Sequence, residues 1–172
     1  TPRALAESLV RHTLDPLCHI GPAEGLPPAQ WRLRPPTELL ALRICDLATG
    51  CGAFLLAAGR HLAAQLLASE AATAHITINI TNADERERHA RRRVLPCLHG
   101  VDRSPLAVEL AGLALWLDTA SPDAPLDGPA AVLRVGDALL GLTDTSRLAA
   151  SDDPARQADA LISEQVLELA ID

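Results

Sequence analysis

The apolar positions of residues 39–69 change their period once, at a turn that contains two glycines. Residues 39–45 form a short apolar run that stops at Asp46, and we interpret the last residues of this run as a strand. The turn at 49–52 follows, and from 53 to 69 the apolar residues recur at helical spacing. The pattern predicts a strand, a glycine turn and a helix in succession.

Two further strands follow from the same kind of pattern. Residues 97–101 are a short apolar run ending at Asp102, and a helix with Pro105 at its first position is expected from there through Trp116. Residues 131–135 make a third strand, which ends just before Asp137. Strands alternating with helices predict an α/β fold, a doubly wound, Rossmann-like, mostly parallel sheet. The chain supplies its first three strands, so we expect the sheet to be incomplete.

The first residues predict a helix that is capped by Thr1, has Pro2 at its first position and ends at Asp15-Pro16. Its apolar stripe comprises Leu5, Leu9, Val10, Thr13 and Leu14. The chain begins without an initiator Met and enters a helix at once. We therefore expect it to be part of a longer polypeptide.

The other segments carry weaker patterns. Residues 20–36 hold five prolines and two glycines, which indicates an irregular surface connection. Residues 71–82 fit either a short strand or an extension of the preceding helix, and the charged stretch 83–94 predicts a solvated helix with pairs among Glu85, Arg88 and Arg92. We expect a domain at 1–142 and a helical extension or linker at 143–172.

The amino-acid composition limits the kinds of partner that this chain can bind. The 172 residues fit one domain, and the hydrophobic content of 48% with few aromatic residues predicts an aliphatic core. A formal charge of −7 argues against a free-standing nucleic-acid binder. The arginines at 86, 88 and 91–93 suggest a phosphate-binding patch as an alternative, but interleaved acids dilute its potential.

The cysteines and the hydropathy profile point to a cytoplasmic protein. Cys18, Cys45, Cys51 and Cys97 form no C-x-x-C pair, and we expect reduced, buried thiols rather than a zinc site. The sequence has neither a signal peptide pattern nor an apolar run long enough for a membrane span.

Each predicted strand ends at a carboxylate: Asp46, Asp102 and Asp137. Ligands of doubly wound sheets bind at the carboxyl ends of the strands. Asp102 could accept two hydrogen bonds from a ribose diol and Asp137 one from an adenine amine, while Gly50 and Gly52 would let the backbone approach the ligand. Acids at strand ends also cap helices, but three in register favour a nucleoside ligand.

A dinucleotide is the competing ligand. Its fingerprint requires G-x-G-x-x-G after the first strand and an acid about 20 residues further on. Residues 50–55 read GCGAFL, without the third glycine, and Asp102 lies far beyond that distance. NAD binding is therefore disfavoured.

Three segments resemble the motifs of amino-group DNA methyltransferases of the adenine-N6 branch, found in restriction-modification and phage-defence methylases. Residues 46–54, DLATGCGAF, resemble D-P-A-x-G-S-G-x-F, and Thr1-Pro2 resembles the end of the Y-T-P element. The segments 100–111, GVDRSPLAVELA, and 136–140, GDALL, are similar to the motifs of the second and third strands. The resemblance covers residues 1–142.

The resemblance implies a methyltransferase fold that binds S-adenosylmethionine. Asp46 and the glycine turn would lie near the methionine moiety, Asp102 on the ribose and Asp137 near the adenine. The implied cofactor-binding residues are Thr1, Pro2, Asp46, Ala48, Gly50, Gly52, Phe54, Asp102, Arg103, Asp137 and Ala138. Leu47 and Cys51 replace the usual Pro and Ser of the turn.

The resemblance stops before the catalytic motif. In this family an Asn/Asp/Ser-Pro-Pro-aromatic tetrapeptide follows the fourth strand and holds the target amine of a flipped base. The two Pro-Pro pairs of this chain precede the first predicted strand and are followed by Ala29 and Thr37. We therefore expect no catalytic residue here, with DNA held by parts of the protein outside this chain.

Two other functions remain open. Leu47 and Cys51 motivate a non-catalytic interaction module on a degenerate methylase scaffold, and the cofactor motifs also fit part of a small-molecule methyltransferase. In every case a first strand without a neighbour on one side would leave an apolar edge. We expect a completing protein chain or a homo-oligomer to cover it.

Overall fold

The computed structural model describes residues 1–72, 82–120 and 132–138. The chain divides into two compact units, Thr1–Gly136 and Asp137–Asp172. In the second unit the described residues are Asp137 and Ala138. The helix expected within 143–172 and most of the segment 71–82 lie outside the described residues.

The first unit is built from five α-helices and five short strands in the described ranges. The helices are α1 (Arg3–Cys18), α2 (Pro36–Leu39), α3 (Ala53–Ala72), α4 (Ala83–Val94) and α5 (Pro105–Thr119). The strands are β1 (His19–Ile20), β2 (Arg32–Leu33), β3 (Ile44–Asp46), β4 (Leu98–Asp102) and β5 (Leu133–Val135). Single 3-10 turns precede β2 and β4.

Strands β3, β4 and β5 form a parallel sheet in that order. Asp46 pairs in register with Gly100, and Asp102 with Val135. The three strands expected from the sequence are confirmed, as is the mixed α/β class with helices flanking a parallel sheet. The carboxyl ends of all three strands lie at one edge of the sheet, with β4 in the centre.

Helix α3 lies at the centre of the core. It packs on α1, α4 and the sheet, and it buries Leu55, Leu62 and Leu66 almost completely. Leu98 of β4 and Leu133 of β5 are buried from the sheet side. The core is aliphatic, as the composition predicts. No helix of the described segments has the length and hydropathy needed to span a bilayer.

Helix α1 differs from the expectation at both ends. Its N-cap residue is Pro2 rather than Thr1, without a capping side chain, and the helix continues through Pro16 to Cys18. A proline so near the end removes a single backbone hydrogen bond, and packing on α3 offsets that loss. The buried face, Ala6, Val10, Leu14 and Cys18, includes two residues of the predicted stripe, whereas the other three, Leu5, Leu9 and Thr13, are exposed.

The connection expected to be irregular contains a small antiparallel hairpin. His19 pairs with Leu33 and Ile20 with Arg32. The indole N–H of Trp31 donates to the carbonyl of Leu26 at 2.8 Å, which closes the loop between the strands. Two-residue strands are too short to produce a hydrophobic period, so the sequence pattern could not reveal them.

Helix α4 confirms the predicted solvated helix, although its ion pairs involve other residues. Asn82 caps the helix by accepting from the N–H of Asp84 at 2.9 Å. Arg91 pairs with Glu87 within the helix, and Arg93 pairs with Glu70 of α3. Two of the arginines that suggested a phosphate-binding patch therefore already form ion pairs with acids of this chain.

Candidate functional site

The segment between β3 and α3 folds back over the carboxyl end of β4. The N–H of Thr49 donates to the carbonyl of Val101 at 3.0 Å, and the N–H of Gly52 donates to the carbonyl of Thr49 at 2.9 Å. Gly50 and Gly52 adopt φ angles of +52° and +82°, which side-chain-bearing residues rarely adopt. We call residues 47–52 the glycine turn.

The carboxylate of Asp102 ties the glycine turn to the end of β4. One oxygen accepts from the N–H of Gly50 at 2.8 Å, and the other accepts from the N–H of Ser104 at 2.9 Å. These backbone hydrogen bonds, that from Ser104 first, lower the pKa of Asp102. The carboxylate is therefore ionised at neutral pH and keeps further lone pairs for a ligand.

Asp46, at the end of β3, presents an unsatisfied oxygen to the same region. Its Oδ1 accepts from the N–H of Ala48 at 3.1 Å, while Oδ2 is buried without a hydrogen-bond partner among the described residues. The hydroxyl of Thr49 is buried and unsatisfied in the same way. An unpaired buried carboxylate oxygen costs free energy unless a donor reaches it, so Asp46 suits a ligand that carries N–H or O–H groups.

The two glycines of the turn have different surroundings. A Cβ on Gly50 would meet nothing within 4 Å, so this face of the turn is open to a ligand. A Cβ on Gly52 would lie 3.2 Å from the Cβ of Ala111 in α5. Gly52 thus permits helix packing, while the space beside Gly50 is open, and the expectation that these glycines admit a ligand stays a prediction.

An apolar groove of about 550 Å³ adjoins the glycine turn on the side away from β4. Helix α1, strand β3 and the start of α3 form its walls, and Phe54 and Leu47 lie at its edge. Among the described strands β3 has one neighbour, β4, so its other edge faces this groove. Residues that line the groove include Leu9, Val10, Leu14, Ile44 and Cys45.

Comparison with protein-family models, with curated proteins and with solved structures gives no match. The assignment of a function therefore depends on the motifs and the geometry of this chain.

The other residues implied by the resemblance occupy varied positions. Thr1 and Pro2 are exposed at the start of α1, and Arg103 is exposed directly after β4. Asp137 is half-buried and Ala138 exposed; both belong to the second unit. The structure thus brings together Asp46, Ala48, Gly50 and Asp102, with Phe54 beside them, and the roles of all the implied residues stay predictions.

Three residues that contribute to this geometry were not singled out from the sequence. Thr49 anchors the turn through its backbone, and Ser104 donates to Asp102 and caps α5 by accepting from the N–H of Ala107 at 3.3 Å. Gly100 lies so close to Leu55 and Leu133 that a Cβ would approach them to 2.7 and 2.8 Å. The capping pattern S-P at 104–105 could have identified Ser104, whereas the other two depend on tertiary contacts.

The cysteines do not form a site. Cys18 and Cys97 are buried, as expected, but Cys45 and Cys51 are exposed, which corrects the expectation of four buried thiols. Cys45 lies on the sheet face opposite α3, and Cys51 is at the surface of the glycine turn. Within the described ranges no group of His, Cys, Asp and Glu side chains is arranged to hold a metal ion.

Proposed function

We propose that this chain is the S-adenosylmethionine-binding portion of an adenine-N6 DNA methyltransferase and does not transfer methyl groups alone. The observation that carries the proposal is the hydrogen bond between Asp102 and the N–H of Gly50. It places Asp102, at the end of β4, against the glycine turn that follows β3. This is the arrangement that the motif resemblance implies for a ribose and the adjoining methionine moiety.

The residues fit such a ligand. Asp102 can accept from a ribose diol while Gly50 leaves open space beside it, and the unsatisfied Oδ2 of Asp46 can accept from an ammonium group. When bound, the cofactor supplies a methyl group activated by its sulfonium. The chain contributes binding and orientation: Asp102 fixes the sugar, and the amides of the turn at the start of α3 favour negative charge nearby.

The chain lacks the groups that would hold a target amine, since no Pro-Pro-aromatic sequence occurs in it. The apolar groove beside the outer edge of β3 supports completion by another polypeptide segment. Such a segment would add a strand to β3 and cover Leu9 and Leu47, which are 48% and 50% exposed. Methylation would then require that segment, with DNA held outside this chain.

Calorimetric titration of the 172-residue chain with S-adenosylmethionine and with S-adenosylhomocysteine tests the proposal. We expect saturable binding of both, and at least tenfold weaker binding for Asp102→Asn, because the amide has one acceptor oxygen and its NH2 group would oppose the N–H of Gly50 or of Ser104. Asp84→Asn, an exposed acid in the first turn of α4, is the matched control and should bind like the parent chain.

Two results would overturn the proposal. One is the absence of binding heat for a chain that circular dichroism shows to be folded. The other is equal affinity of the parent chain and the Asp102→Asn variant, which would favour the non-catalytic scaffold. Transfer of labelled methyl groups to adenine-containing duplex DNA by this chain alone would contradict the second half of the proposal.

A further inference from the structure

Helix α5 carries a leucine seam on its outer face. Leu106, Leu110, Leu113 and Leu117 are separated by four, three and four residues, the spacing of alternating d and a positions in a helix pair. They are 64%, 43%, 45% and 62% exposed. The opposite face of the helix, formed by Ala111, Leu115 and Thr119, is buried against the core. Within the part of the chain that the structure describes, the seam is thus an additional apolar surface that stays exposed.

Polar contacts anchor both ends of α5. Ser104 caps the start of α5, and the carboxylate of Asp118 near its end accepts from Arg60 of α3 at 2.5 and 2.8 Å. Arg91 of α4 lies 3.5 Å from the same carboxylate oxygen. A partner would therefore meet a preformed surface and would not have to order the helix on binding.

We propose that the seam pairs with α5 of a second copy of this chain, antiparallel and about a two-fold axis between Leu110 and Leu113. A two-fold interface must be complementary to itself. The spacing four, three, four reads the same in both directions, and so does the exposure, high at the outer leucines and lower at the inner ones. Antiparallel pairing sets Leu106 against Leu117 of the second copy.

The seam itself carries no charged side chain. Glu109 is the single charged side chain between Ser104 and Leu117, and it lies beside the seam rather than in it. Pairing therefore desolvates no charge along the seam. The antiparallel orientation also places the positive end of each helix dipole beside the negative end of the other.

The small area that the paired seams would bury predicts a weak dimer. A strip as long as α5, about 22 Å, and one helix diameter wide corresponds to total burial on the order of 1,000 Å². This lies at the low end of specific interfaces, where association is transient. The proposal is independent of the proposed function, because the seam lies on the outer side of α5 and not at the glycine turn.

Sedimentation equilibrium of the 172-residue chain, over a concentration range of about 1 to 200 µM, tests the proposal. We expect a monomer–dimer equilibrium in which the double variant Leu106→Glu/Leu117→Glu raises Kd at least tenfold. These are the most exposed leucines of the seam, so the fold should tolerate the change. The matched control is Leu5→Glu/Leu17→Glu on α1, where exposure is 52% and 49%.

The control variant should dimerise like the parent chain. A chain that stays monomeric throughout the range would overturn the proposal, and so would a dimer that the seam variant leaves unchanged. The latter result would point instead to the edge of β3. Circular dichroism of each variant confirms that a lost dimer does not reflect lost folding.

Disulfide trapping tests the orientation, in a background where the exposed Cys45 and Cys51 are replaced by Ser. In the antiparallel pair the two copies of residue 106 are about 16 Å apart along the axis. Leu106→Cys alone should therefore not cross-link, whereas its mixture with Leu117→Cys should form the mixed disulfide. Efficient cross-linking of Leu106→Cys with itself would contradict the antiparallel arrangement.

Discussion

Gly52 lies directly against Ala111, so that a Cβ on the glycine would approach the Cβ of Ala111 to 3.2 Å and its Cα to 3.3 Å. The last glycine of the turn therefore sets how closely the start of α3 packs on α5. Since φ of Gly52 is +82°, both the backbone conformation and the helix contact depend on this residue.

Gly52→Ala should lower the free energy of unfolding by about 2–4 kcal/mol, because it adds backbone strain to an overpacked contact. Urea denaturation measures the change. Gly25→Ala is the matched control: its φ is +72° and a Cβ there would meet nothing within 4 Å. It should cost about 1 kcal/mol, and an equal cost at both positions would show that the contact with Ala111 is unimportant.

The Gly50→Ala variant tests cofactor binding separately from the stability of the fold. Its φ is +52° and its surroundings are open, so the loss of stability should resemble that of Gly25→Ala, about 1 kcal/mol. Only Gly50→Ala, however, places a methyl group where the proposed cofactor approaches. We expect calorimetry to show at least tenfold weaker binding of S-adenosylhomocysteine for Gly50→Ala and none of that effect for Gly25→Ala. Unchanged binding by Gly50→Ala would place the ligand elsewhere.

Asp118→Asn should destabilise the fold because it removes a charge that two arginines share. The side chain of Asp118 is 8% exposed and joins α5 to α3 and α4 through Arg60 and Arg91. We expect a loss of about 2–3 kcal/mol in urea denaturation, since Arg60 would lose the carboxylate it pairs with and Arg91 would keep Glu87 alone. Glu7→Gln disrupts the exposed pair with Arg3 and should leave stability unchanged. Equal losses of stability for Asp118→Asn and Glu7→Gln would contradict this explanation.

Stability should fall as the pH is lowered from about 7 to 5, partly because of His99. Burial lowers its pKa, and Arg43 and Arg134 lower it further. The unfolded chain therefore binds a proton at a higher pH than the folded chain does, and stability present at neutral pH is lost below the unfolded pKa of about 6.5.

Denaturation at several pH values compares the parent chain with His99→Gln, which should show a shallower pH dependence. Part of the slope should persist, because burial also lowers the pKa of His61 and His89. An unchanged slope would show that His99 contributes nothing. In NMR titrations Arg43→Gln should raise the pKa of His99.

The sheet could be predicted because β3 and β4 end at the carboxylates Asp46 and Asp102 and are each followed by a helix with a clear apolar period, whereas β5 ends at Val135, two residues before Asp137. The central strand β4 and the helices α3 and α5 were all located from this pattern. The buried face of α1 could not be located fully from the sequence. Leu5 and Leu9 are as apolar as Val10 and Leu14, and only packing on α3 decides which of them are covered.

The candidate site was predictable in its residues and not in its contacts. Asp102 and Gly50 could each be identified from sequence, but their hydrogen bond joins positions 52 residues apart. The role of Gly52 likewise depends on Ala111, which no local pattern connects with it. Motifs indicate which residues are candidates, while long-range packing decides which of them lie against one another.

The central position of β4 also constrains the order in which the chain can fold. Ile44 pairs with Leu98, and Gly100 with Leu133, so each strand pairing closes a long loop through a helical crossover. Closing such loops carries an entropic cost before any sheet contact compensates for it. On the ribosome, β3 must therefore wait for more than fifty further residues to be synthesised. During that interval α1 can pack on α3 and α3 on β3, because all three elements precede β4 in the chain.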